Sequence, residues 1–127
     1  MSQTATPAPA ALDPLEVASR NYKLIMENDQ VRVFDVRIKP GERLMMHSNG
    51  PAVIYVFNNG LLRHTYPDGK VKETIAVSGT VVWDQAETHE TQNVGGTDIH
   101  SLKIELKETS SKPASRWRPG EGSWPWH

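Results

Sequence analysis

The 127-residue sequence contains no cysteine. Disulfides, thiolate nucleophiles and cysteine-ligated zinc or iron–sulfur centres are thereby excluded, and any metal must sit on nitrogen and oxygen ligands. A basic excess is also missing: 14 Lys and Arg stand against 15 Asp and Glu, a formal net charge of -1, with the two signs interspersed. Binding to nucleic acid by counterion release needs clustered cations, so no nucleic-acid partner is expected. No apolar run approaches membrane-spanning length, and the opening MSQTATPAPAALDP has neither a basic start nor a continuous apolar stretch. No membrane association is expected, and cytoplasmic residence is the default reading. The length suits one domain with a single core.

What is present is turn chemistry at short intervals. Residues 1–12 are mostly Ala, Pro, Ser and Thr with little to bury, and read as a disordered tail. Asp13, Pro14 and Glu16 make a capping arrangement with Pro at the first helical position, enough for a turn or two that braces the domain. From Tyr22 to Lys107, Lys39-Pro40-Gly41, Asn58-Asn59-Gly60, Pro67-Asp68-Gly69, Ser78-Gly79 and Gly95-Gly96 separate short strands, which indicates an all-β sandwich or barrel. In HSLKIELK, His100, Leu102, Ile104 and Leu106 share one face, expected in the core, and Ser101, Lys103, Glu105 and Lys107 share the other, expected in solvent. Phe34, Val36 and Ile38 suit an inner face. Val31 and Val33 fall on the other parity, which a bulge or cover from the N-terminal brace would reconcile. After Gly60, Leu62, His64 and Tyr66 point inward and Arg63 and Thr65 outward. His89, Thr91 and Asn93 share a face with Glu90 and Gln92 on the other, so whichever is inward begins polar, and a wetted or liganded pocket follows.

Two glycine-bracketed segments, PGERLMMHSNGPAVIYVFNNG from Pro40 and GTVVWDQAETHETQNVG from Gly79, resemble the two signature motifs of the cupins. In the first, Gly41 and Gly60 are in register, with His47 at the first histidine, Asn49 at the second and Val53 at the glutamate. In the second, Gly79, His89 and Asn93 fit, Gln85 and Glu87 replace the turn residues, and the histidine comes one residue early. The wider run, including NYKLIMENDQVRV, YPDGK and IELK, is similar to the small single-domain cupins of the β-alanine degradation group. The resemblance implies a cupin jelly-roll barrel of two antiparallel sheets over residues 13–107, with a short N-terminal brace and an irregular Trp-rich C-terminal segment, 108–127.

Cupin sites imply a divalent metal, here iron, manganese, nickel or zinc. His47 and His89 are the retained candidate ligands, and His64, on the strand expected beside that of His89, would complete a three-imidazole face. Glu87 and Glu90 flank His89 and are expected to point away from it. Asn49 is a candidate for weak ligation or for orienting a substrate, with Met45 as apolar cavity wall and Asn93 beside them. His64, Tyr55 and Tyr66 are the candidate acid–base residues, although packing is the ordinary role of inward tyrosines. Trp83 and Phe57 read as core, His100 as a satisfied core histidine and His127 as solvated. Three functions stay open: a metal-dependent enzyme acting on a small organic metabolite, a metal-free enzyme using a cavity histidine, and a non-enzymatic small-molecule binder. Trp117, Trp124 and Trp126 suggest that the C-terminal segment packs on the barrel or on a second subunit, and a homodimer is the expected assembly.

Overall fold

Glycines at positive φ make three of the turns that cut this chain into strands: Gly41 at 83°, Gly69 at 89° and Gly79 at 83°. Only a residue without Cβ adopts that conformation without strain. The computed structural model describes residues 12–108. The Trp-rich segment with His127, and residues 1–11, lie outside them. Asp13 caps a one-turn helix, α1 (Pro14–Val17), by accepting from the Leu15 backbone N at 3.0 Å. Nine strands follow: β1 (Tyr22–Glu27), β2 (Val31–Ile38), β3 (Arg43–Asn49), β4 (Ala52–Val56), β5 (Gly60–Thr65), β6 (Val71–Ala76), β7 (Val81–Asp84), β8 (Glu87–Asn93) and β9 (Ile99–Leu106).

The strands form two antiparallel sheets, one ordered β1-β2-β9-β4-β7 and the other β3-β8-β5-β6. Their inner faces meet in a core of Phe34, Val36, Ile38, Leu44 and Ile99, against which Tyr22 and Ala18 close one side. Burial of these apolar residues, at roughly 1.5–3 kcal/mol for each large side chain, is the main force holding the layers together.

The five-stranded sheet overturns the expected polarity of β9. Ile99, Lys103 and Glu105 are buried, whereas Leu102 and Ile104 are half-buried on the outer face and Leu106 is exposed. Both buried ions have partners inside. Arg32 Nε donates to Glu105 Oε1 at 2.8 Å, the Gly50 backbone N donates to Glu105 Oε2 at 2.8 Å, and Arg32 reaches on to Asp13 Oδ2 at 3.0 Å. One network thus ties α1 to β2, β9 and the β3–β4 turn.

The outer face of this sheet is apolar, which explains Val31 and Val33 without a bulge in β2. Met26, Val33, Ile104, Val53 and Trp83 stand in one register row across all five strands. Trp83, Phe57 and Tyr55 belong to this outer surface and not to the core: Trp83 is 50% exposed, and Tyr55, 38% exposed, sets its ring edge-on to Phe57 at 5.0 Å. Tyr55 opposes Leu102 and Val81, so β4 turns Ile54 and Val56 inward instead.

Asn93 ends β8 as a structural staple. Completely buried, it donates through Nδ2 to the carbonyls of Ile38 at 2.9 Å and Thr97 at 2.8 Å, and accepts from the Gly95 backbone N at 3.0 Å. Asn93→Ala is expected to cost about 2 kcal/mol in urea unfolding, because these groups lose their partner in a closed site. A loss below about 0.5 kcal/mol, typical of surface changes, would contradict the staple.

Candidate functional site

The barrel encloses a cavity of about 430 Å³, within the roughly 300–1,000 Å³ usual for small-molecule sites. Its polar end is built by β3 and β8, which set His47 opposite His89 and Asn49 opposite Glu87. A register shift between Leu44 and His47 inserts an extra residue into β3. That bulge turns Met45 outward, 58% exposed, so it is not the cavity wall that simple alternation implies. It also presents the Met45 carbonyl to His47, whose Nδ1 donates to it at 2.7 Å.

β5 lies beside β8, with His64 opposite Thr91, and the two side chains share a hydrogen bond of 3.0 Å. The three histidines are thus brought together: His47 and His89 have ring centroids 5.0 Å apart, and His64 stacks on His89 at 4.3 Å and 26°. Tyr66, just past β5, donates to Glu87 Oε1 at 3.1 Å. Glu87 faces the cavity, contrary to the sequence expectation. It lies two residues from His89 and therefore on the same strand face, a parity that was already readable. Glu90 turns away towards Arg43, 3.7 Å distant.

Asn49 is engaged on both ends of its amide. Its Oδ1 accepts from Lys103 Nζ at 2.6 Å and from the Tyr22 hydroxyl at 3.2 Å, and its Nδ2 donates to His89 Nε2 at 3.3 Å. His89 Nδ1 then carries the proton. It lies 3.2 Å from Glu87 Oε1, yet out of line, and so remains buried without a hydrogen bond. Lys103 and Tyr22 are the cavity residues that sequence reading missed, since both reach Asn49 across the barrel from strands of the opposite sheet. Asn93, by contrast, is spent on the backbone and does not line the cavity. His100, on the outer parity of β9, is satisfied by Asp35 Oδ1 at 2.7 Å and lies against Phe57.

His47, His64 and His89 are held neutral. Burial pushes the His89 imidazole down to about 2, with His64, His47 and Lys103 adding to the fall. Burial likewise takes His47 down to about 4, opposed by its bond to Met45 and reinforced by Lys103. His64 is lowered too, mainly by burial, with Glu87 opposing. Burial and then the bond to Glu87 raise Tyr66, so its hydroxyl stays protonated.

Neutral imidazoles are what a divalent ion needs, but the arrangement does not fit one. Among the described residues no three His, Asp or Glu side chains converge as a ligand set. His64 lies stacked on His89 and does not join it in such a set. The asparagine at the second-histidine position gives its oxygen to the Lys103 ammonium, a cation where a metal-site carboxylate or imidazole would be required.

No family model matches the chain, and no curated protein matches it. Solved structures do. A cupin domain from Bordetella pertussis Tohama I is 22% identical with a TM-score of 0.62, over 68% of this chain and 91% of that one. An RmlC-like cupin family protein with a double-stranded β-helix fold from Methanocaldococcus jannaschii is 11% identical with a TM-score of 0.53, over 67% and 77%. A conserved protein with a double-stranded β-helix domain from Klebsiella pneumoniae is 15% identical with a TM-score of 0.51, over 65% and 68%. The fold is therefore the cupin jelly roll, as the glycine frame of the sequence implies. Among the described residues no helix is long and apolar enough to cross a membrane.

Proposed function

We propose that this cupin binds a small organic molecule in its barrel without a metal ion. The observation that carries the reading is the Lys103 side chain, 5% exposed and 2.6 Å from Asn49 Oδ1, at the polar end of the cavity. A fixed ammonium beside His47 and His89 repels a second cation at the same place. Acid–base catalysis by these two imidazoles is disfavoured as well, because a useful base titrates near the working pH, and His47 at about 4 and His89 at about 2 lie well below it. As neutral groups they serve instead as oriented donors and acceptors for a ligand. The narrower likeness to the β-alanine degradation cupins supports a small metabolite as ligand and no particular reaction.

The test is elemental mass spectrometry on untagged protein incubated with iron, manganese, nickel and zinc, followed by melting with and without a chelator. The expected result is metal far below one per chain and an unchanged melting temperature. Stoichiometric metal that disappears in both His47→Ala and His89→Ala would overturn the reading.

A further inference from the structure

Lys103 is the one buried lysine among the described residues, and no carboxylate contacts it directly. An ammonium has three N–H donors. Asn49 Oδ1 takes one at 2.6 Å and the Tyr22 hydroxyl oxygen a second at 3.1 Å. Both acceptors are neutral, and within the described residues Lys103 makes no ion pair. Glu105, two residues along the same face of β9, gives its oxygens to Arg32 and to Gly50. Two carboxylates line the cavity without pairing with Lys103: Asp84 feels its charge but forms no ion pair, and Glu87 is held by Tyr66. A buried charge without a counter-charge is strongly disfavoured, and a ligand that supplies one relieves it.

The rest of the cavity is graded in polarity. Lys103, Asn49, His47 and His89 occupy one end, while Ile38, Leu44, Leu62 and Ile99 line the other. Resting on the metal-independent binding reading above, we infer that the ligand is a small organic carboxylate whose oxygens accept from Lys103 Nζ while its apolar body lies towards Leu62 and Ile99. The third ammonium donor is then available at the end where the charge is seated. With the imidazoles neutral, Lys103 is the one buried cation lining the cavity among the described residues, Lys72 being exposed at its wall.

The experiment compares butyrate, pentanoate and hexanoate with the neutral amides of the same chain lengths. Binding to the full chain is followed by calorimetry at constant ionic strength, for the natural protein and for Lys103→Met. Methionine keeps the length of the stem, and replacing a buried charge by an apolar group is usually tolerated. We expect the natural protein to bind the acids at least about tenfold more tightly than the amides. Lys103→Met should lose that preference and keep amide binding. Equal affinity for acid and amide in the natural protein, a comparison that needs no variant, would overturn the carboxylate and leave the barrel a small-molecule site. Retention of the acid preference by folded Lys103→Met would do the same. No binding of either series would sink both this inference and the binding reading beneath it.

Discussion

Glu105→Ala is expected to lose about 3 kcal/mol of unfolding free energy, because removing one partner of a buried ion pair strands the other. Arg32, whose side chain is 16% exposed, would keep only Asp13, and the Gly50 N–H would lose its acceptor. Glu105→Gln preserves an acceptor for both donors and should cost less than half as much. Urea unfolding at neutral pH measures both. The alternation of HSLKIELK alone puts Glu105 in solvent, where substitution stays within about 0.5 kcal/mol. A result that small would restore the sequence reading and contradict the inward face of β9.

The second large effect is a loss of stability in mild acid. His47 and His89 are depressed in the folded state, to about 4 and about 2, against an ordinary value of 6.5. Below about pH 6.5 the unfolded chain therefore binds protons that the folded chain refuses, and stability falls as pH falls. The contribution is fully present above the unfolded value and is lost on the way down, until about pH 4 for His47 and lower still for His89. Between pH 7 and pH 5 each imidazole removes about 2 kcal/mol, and the pair about 4 kcal/mol. Urea midpoints across that range should drop steeply in the natural protein and less steeply in His89→Asn. A flat profile would mean that the imidazoles accept protons in place, and the cavity would regain a general base.

Some of the site was within reach of the sequence. Strand parity places His64 and Tyr66 inward and sets His89 on one face with Thr91. The same rule, applied two residues back, puts Glu87 beside His89. Met45 failed because a bulge resets the parity of β3, and no residue type in RLMMHSN announces it. Tyr55 failed because AVIYV is apolar on both faces, so its pattern does not say which face meets the core. Asn93 was misread because a buried asparagine serves equally well as ligand or as staple. Only the positions of Ile38, Gly95 and Thr97 distinguish the two.

The sequence by itself determined the architecture: glycines at turns needing positive φ, short strands between them and one apolar core, together enough for a cupin jelly roll. It also determined that no thiol chemistry occurs. Tertiary structure decided the polarity of β9 and, with it, the character of the cavity. Alternation records that two faces differ, but which one is buried depends on partners far along the chain. Asn49 and Tyr22 accept Lys103, Arg32 and Gly50 satisfy Glu105, and the apolar outer row of the five-stranded sheet takes Ile104 out of the core. The burial of a charge is settled by the contacts that compensate it, and those contacts exist only once the two sheets have closed.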